Sequence, residues 1–278
     1  MLYSIVTVCY NASSLIEKTI KSVLAQDFTD YEYIIQDGGS TDNTLEIVNK
    51  FKGDFEMRNI PYIINSGKDN GIYDAMNRAV TYASGEYVIF MNADDCFYSQ
   101  SVLSEVNKKI SGKETLPDII YGDCIIKELE MYFKFRKCFD LIKDRMPFSH
   151  QACFTKRSLL LANPLNTNYK ITADYDFILK SYINKNSFFD SEVCIALVTA
   201  DGLSSIHMYD TFVEVNQVCG SLGVPRFSPE QYAKKIKEMK LKQFVLSHFP
   251  KSVVKFIRAN QIKSRGQLTE VIIPIWAK

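Results

Sequence analysis

Apolar residues in the first hundred positions fall into short continuous runs separated by helix-spaced segments. The runs at 4–9 (SIVTVC), 32–36 (EYIIQ), 61–64 (PYII) and 87–91 (YVIFM) have the unbroken apolar character of strands covered on both faces, the condition of central strands in a parallel sheet. Between them, residues 13–24 place Leu15, Ile16, Ile20, Val23 and Leu24 on one side of a helix that can pack on such a sheet. Residues 42–51 and 73–82 predict the next two helices. This alternation is the signature of an α/β fold.

Beyond about residue 118 the apolar runs become shorter and mixed (IIYGDCII, MYFKFR, QACF), followed by a predicted helix at 174–184 and a strand CIALV at 194–198. The change predicts one domain over 1–225 with two halves, a nucleotide-binding half at about 1–117 and an acceptor-shaping half at about 118–225. A further shift begins at residue 226. Between 226 and 265 there are eleven Lys or Arg against Glu230 and Glu238, interleaved with Phe244, Val245, Leu246, Phe249, Val253, Val254, Phe256 and Ile257. A basic, mainly helical extension over 226–278 is expected. It either packs one face on the domain or adheres to an anionic membrane surface, where cations add attraction to apolar insertion.

Composition narrows the class. A chain of 278 residues, 46% hydrophobic and 23% charged, is that of a globular enzyme, and a net charge of +1 gives no field suited to nucleic acid. The seven cysteines have no CxxC spacing, which points to free thiols in a reducing compartment. The opening MLYSIVTVCY reads as a strand rather than a leader, and no apolar run approaches the ~18–20 residues that span a bilayer. A cytoplasmic protein, peripheral on the inner membrane face if the extension binds lipid, is the expectation.

Four polar clusters fall at or beside strand ends, where open α/β sheets bind ligands. The first, QDGGSTDNT at 36–44, reads either as a tight turn with a helix cap or as a ligand loop in which Asp37 accepts hydrogen bonds from a nucleobase or ribose. The second, SGKDNGIYDAMN at 66–77, is either a helix start capped by Asp69 or Asn70 or a loop presenting a carboxylate and an amide to the same edge. The third, EYVIFMNADD at 86–95, ends an apolar strand in oxygen donors of the kind that Mg²⁺ or Mn²⁺ shares with substrate phosphates. The fourth, NYKITADYDFILK at 168–180, puts Asp174 and Asp176 near a helix start, where the helix dipole alone favours acids or where one of them serves as a general base.

Taken in order, VTVCYNASSLIEKTIKSVLAQ, DGGSTDNT, DNGIYDAMN, SGEYVIFMNADD, SHQACF and TADYDF resemble the family-2 glycosyltransferases, especially the branch of bacterial polysaccharide and O-antigen assembly, over about residues 3–205. The resemblance implies a GT-A fold with a mostly parallel, Rossmann-like sheet, and an inverting, metal-dependent transfer of a sugar from a nucleotide diphosphate donor, a UDP-sugar, to a hydroxyl of a saccharide or lipid-linked acceptor. It implies a uracil-reading role for Asp37 and donor-site roles for Asp69, Asn92, Ala93 and Asp94. The metal, Mn²⁺ or Mg²⁺, falls to Asp94, with Asp95 and His207 as further candidate ligands. Asp174, with Asp176 as the alternate, takes the place of the catalytic base, and His150 lies on the acceptor side.

Two positions depart from the family pattern: Asn92 stands where many members have aspartate, and Ala173 where a glutamate precedes the base. The competing readings are a nucleotidyltransferase, which commonly carries a glycine-rich basic phosphate loop where this chain has CYNASS, and a degenerate nucleotide-sugar binding module. A dinucleotide oxidoreductase ranks below both, for want of a GxGxxG after any strand.

Overall fold

The structure, a computed structural model, describes residues 1–128, 131–135, 137–200 and 207–248. Its first half is built from β1 (Tyr3–Cys9), α1 (Ile16–Leu24), β2 (Tyr31–Asp37), α2 (Thr44–Lys50), α3 (Lys52–Met57), β3 (Tyr62–Ser66), α4 (Ile72–Tyr82), β4 (Tyr87–Phe90), β5 (Cys96–Phe97) and α5 (Val102–Ile110). The second half follows with β6 (Ile119–Glu128), β7 (Met131–Lys134), β8 (Cys153–Lys156), α6 (Arg157–Ala162), α7 (Ala173–Ile183), β9 (Phe188–Thr199), α8 (Met208–Ser221) and α9 (Pro229–His248). All strands join one sheet in the order β3-β2-β1-β4-β8-β6-β9-β5, with β7 on β6.

The predicted apolar runs are explained by two cores on opposite faces of this sheet. Successive side chains of a strand point to opposite faces. Tyr3 and Ile5 of β1 meet Ile16, Ile20 and Val23 of α1 on one side, while Val6 and Val8 meet Met76, Ala79 and Val80 of α4 and Phe177 of α7 on the other. Burial of each such side chain stabilises the fold by about 1.5–3 kcal/mol, so both faces of β1 and β2 must stay apolar.

The expected α/β architecture is present, with its parallel pairing concentrated in the first half. β3, β2, β1 and β4 run parallel, whereas β8 joins β4 and β6 antiparallel and β9 returns parallel to β6. The predicted strand 194–198 is the end of the twelve-residue β9, whose pairing with β6 shifts register between Tyr121 and Cys124. Gly122 lies in that irregularity because a Cβ there would stand 2.3 Å from the carbonyl oxygen of Val193. The predicted helix 42–51 breaks at Phe51 into α2 and α3, and α3 seats Phe55 against the rings of Tyr33 and Tyr62.

The helical extension is present through residue 248. α8 packs Val218 and Cys219 against Tyr175 and Leu179 of α7, and α9 lies on α8 by stacking Tyr232 on Phe212 with centroids 5.8 Å apart. Leu241 and Phe244 of α9 are exposed. The basic residues at 251, 255, 258, 263 and 265 lie outside the described residues. No helix among the described residues is long and apolar enough to cross a membrane, and all seven cysteines are free thiols.

Candidate active site

Because β1, β2 and β4 run parallel and adjacent, the segments that follow them emerge at one edge of the sheet. The chain after β1 is woven into the loop after β2. The amide of Asn11 donates to Ser40 Oγ at 2.8 Å, Thr41 donates its amide to Asn11 Oδ1 at 2.9 Å, and Ser13 donates its amide to Asp42 Oδ2 at 3.1 Å. Past Ser13 the chain makes a turn, with the amide of Leu15 donating to the carbonyl of Ala12 at 2.9 Å, and the predicted helix at 13–24 begins only at Ile16.

Asp37 anchors that loop. It is 0% exposed, and its oxygens accept the amides of Gly39 and Ser40 at 3.1 and 3.0 Å, the hydroxyl of Ser66 at 2.6 Å, and the Ser40 hydroxyl. This carboxylate shapes its own turn and, through Ser66, ties the ends of β2 and β3 together. Asp69 is the more open acid of the pair. Its Oδ2 would lie 2.6 Å from a Cβ at position 38, so the bare Gly38 gives the Asp69 carboxylate its present place against the first loop. Its Oδ1 accepts the amide of Gly71 at 2.9 Å, and the exposed Tyr10 flanks Gly38 on the other side, its Cβ 3.5 Å from the same position.

Beyond β4, the segment Asn92–Asp95 divides its acids. Asp95 is buried, accepts a hydrogen bond from Gln151 Nε2 at 3.0 Å, and is pushed up by burial to a pKa of about 7, against the pull of that bond and of the nearby His150. Asp94 faces outward, at a φ of 89° that residues other than glycine rarely adopt. Two neighbours on α1 hold it there. Thr19 Oγ1 accepts its amide at 3.1 Å, and the Lys18 ammonium pairs with its carboxylate. Neither Lys18 nor Tyr10 is marked by its local sequence, since each reads as an ordinary solvated position.

The second half delivers Asp174 to the same edge. α7 begins at Ala173, and the loop before it is clamped by Glu214 of α8, which accepts the amides of Lys170, Ile171 and Thr172 at 2.9, 2.9 and 3.1 Å. Asp174 Oδ1 accepts the amide of Tyr175 at 2.8 Å and lies 3.4 Å from the Tyr73 hydroxyl. Its Oδ2 lies 3.0 Å from His150 Nδ1, and the other ring nitrogen of His150 lies 3.3 Å from Asn92 Nδ2. One imidazole therefore spans from Asp174 to the segment carrying Asp94. In the neutral ring, Nδ1–H donates to Asp174 and Nε2 accepts from Asn92, which leaves Asn92 Oδ1 buried with no partner.

Asp176 does not reach this edge. It is 2% exposed and pairs with Lys180 at 2.6 Å, on the far side of the helix from Asp174. His207 sits at the amino end of α8 with its ring 3.4 Å from Asp210 of the same helix, and the structure brings it to neither Asp94 nor Asp174 among the described residues. His248 lies on α9 with its ring stacked on Phe244.

Desolvation is the largest single influence on His150 and lowers its pKa, but the hydrogen bond and charge of Asp174, with the charge of Asp95, together raise it above the ordinary value. A raised folded-state pKa stabilises the fold fully below the unfolded value of about 6.5, and that contribution is lost as pH rises through the folded value. His150→Gln is therefore expected to destabilise the protein by about 1–2 kcal/mol, the worth of a hydrogen bond to a charged group, in acid and by less above neutrality. Urea denaturation of both proteins from roughly pH 5 to roughly pH 9 checks this; a gap that widens with pH contradicts it.

Among the described residues, no group of three or more His, Cys, Asp or Glu stands close enough to hold a metal by itself. What the edge offers is one accessible carboxylate, Asp94, and the unpartnered oxygen of Asn92. A sparse oxygen set fits Mg²⁺ or Mn²⁺, which take one or two carboxylates from protein and the remainder from phosphate and water.

Residues 4–159 match the family described as Glycosyl transferase family 2, a span that holds Asp37, Asp69, Asn92–Asp95 and His150 but stops short of Asp174. A PGL/p-HBAD biosynthesis glycosyltransferase of Mycobacterium bovis is 36% identical over 188 residues, covering 66% of this chain and 70% of its own. A GalNAc(5)-diNAcBac-PP-undecaprenol beta-1,3-glucosyltransferase of Campylobacter jejuni is 31% identical over 125 residues, covering 45% of this chain and 38% of its own. In fold, the chain is similar to S. aureus TarS 1-349 in complex with UDP, with a TM-score of 0.63, 19% identity and coverage of 91% of this chain and 73% of that one. It is also similar to the mannosyltransferase PcManGT of Pyrobaculum calidifontis in complex with GDP-Man and Mn²⁺, with a TM-score of 0.63, 17% identity and coverage of 96% and 77%.

Proposed function

From the premise that this chain belongs to glycosyl transferase family 2 and has the GT-A fold, we propose that it is an inverting, metal-dependent transferase that moves a monosaccharide from a UDP-sugar to a hydroxyl of a saccharide or lipid-linked acceptor in bacterial cell-surface polysaccharide assembly. The observation that carries this reading is the single imidazole of His150 joining Asp174 to Asn92, which sets a proton acceptor beside the segment suited to a diphosphate.

Asp37 holds the loop after β2 in shape, and Asp69 with Tyr10 faces the base and ribose. Asn92, Ala93 and Asp94 form the floor for the diphosphate. Asp94, with the free oxygen of Asn92, would hold Mn²⁺ or Mg²⁺, and a divalent ion supplies neutralisation of the charge gathering on a departing nucleotide diphosphate. Asp174 accepts the proton of the acceptor hydroxyl as its oxygen attacks the anomeric carbon from the face opposite the nucleotide, so the configuration inverts. His150 orients Asp174 through Nδ1–H, and Glu214 fixes the loop that starts α7.

Support for the donor and acceptor comes from similar proteins by name: TarS was crystallised with UDP, and the Campylobacter relative acts on an undecaprenol-linked saccharide by its name. The exposed Leu241 and Phe244 beside the lysines of α9 suit a peripheral contact with an anionic membrane. The test is calorimetric titration of a panel of nucleotide sugars with and without Mn²⁺. A UDP-sugar is expected to bind at least about tenfold tighter with the ion; equal affinity in its absence, or preference for another nucleotide, overturns the donor assignment.

A further inference from the structure

Resting on the reading of Asp94 as the metal-binding carboxylate, we propose that Lys18 is a built-in competitor for that carboxylate: it occupies Asp94 while the donor site is empty and transfers to the donor's diphosphate when a divalent ion takes its place. The consequence is that metal and donor load together rather than separately.

Three observations carry this. First, the Lys18 ammonium pairs with Oδ1 of Asp94, the carboxylate on which the proposed ion depends, and an ammonium and a divalent cation drawn to the same small carboxylate repel each other across a few ångströms. Second, the grip is two-handed. Successive residues of α1 hold Asp94 at both ends, Thr19 at the amide and Lys18 at the carboxylate, and this keeps a non-glycine residue at a φ of 89° in a region reached only when neighbours impose it. Third, the pair is partly open, with side chains 33% and 22% exposed. A pair in that setting is weak enough to exchange, and the long lysine stem can follow a phosphate approaching over the same edge, where a charge-assisted bond compensates the one released.

A lysine that served only to neutralise Asp94 would add nothing to the coupling of metal and nucleotide that a shared ion already gives. A competitor adds to that coupling, because each ligand relieves the same contact.

The experiment titrates Mn²⁺ by electron paramagnetic resonance into wild type, Lys18→Met, Lys18→Arg and Asp94→Asn, each with and without saturating UDP. Lys18→Met is expected to bind Mn²⁺ about fivefold tighter than wild type without nucleotide, and the factor by which UDP tightens Mn²⁺ binding is expected to fall by about the same fivefold. Lys18→Arg, which keeps the charge, is expected to behave as wild type. If Lys18→Met leaves either quantity unchanged, or weakens Mn²⁺ binding without nucleotide, the competitor role is wrong while the metal assignment stands. If Asp94→Asn binds Mn²⁺ as tightly as wild type, the metal assignment itself is wrong, and the competitor role falls with it.

Discussion

Asp94→Ala is expected to lower kcat/KM by about three orders of magnitude, roughly 4 kcal/mol of transition-state stabilisation, and to abolish the dependence of turnover on Mn²⁺. The size follows from how few donors the site has. Asp95 cannot substitute, because it is buried and bonded to Gln151. Asn92 contributes a neutral oxygen, so Asp94 is the one accessible negative charge of the segment. Removing it leaves Lys18 without its partner and the diphosphate without an anchored counter-charge. The fold should survive, since a partly exposed ion pair contributes at most about 1 kcal/mol. Steady-state transfer rates across a Mn²⁺ series, read beside thermal melting, separate these effects; wild-type turnover at saturating Mn²⁺ would remove Asp94 from the mechanism.

The parts of the fold that were legible in the sequence are those where local pattern and tertiary role coincide. β1, β2 and β4 announce themselves because both faces are buried, and α4 because one face is, while α7 shows as an apolar run because it is buried between the sheet and α8. The helix α5 carried a usable signal, with Val102, Leu103, Val106 and Ile110 at helical spacing. The antiparallel half was less legible. Nothing in the local composition of β6 or β8 encodes which strand lies beside it, and the irregularity at Gly122 depends on Val193, seventy-one positions on.

The site divides the same way. The motifs mark the edge, but how each acid is spent depends on partners far along the chain. Asp37 is tied to Ser66, and Asp174 is oriented by His150 and by a loop clamped from Glu214. The choice between Asp174 and Asp176 was partly accessible. Residues two apart on a helix point about 200° apart, so they cannot both serve one site, and Lys180 four positions after Asp176 is a ready ion-pair partner. Which face met the sheet edge required the fold. Lys18 was invisible, since a lysine on an amphipathic helix reads as solvated until the turn after β4 is seen above it.

Asp174→Asn separates the acceptor step from donor binding more cleanly than any other change. Asparagine keeps the shape, and its one carbonyl oxygen can still accept from His150 or from the amide of Tyr175, but it cannot take a proton, and a positioned general base is worth about 10²–10⁴ in rate. Because the proposed function gives the donor to Asp69 and Asp94 rather than Asp174, it predicts a loss on the chemical step alone, the signature of an interaction made only in the transition state. The direct measurement is donor affinity by calorimetry and single-turnover transfer by rapid quench on the same Asp174→Asn preparation. An affinity within about twofold of wild type with transfer slowed about a thousandfold is predicted; transfer at close to the wild-type rate would contradict the assignment of the base.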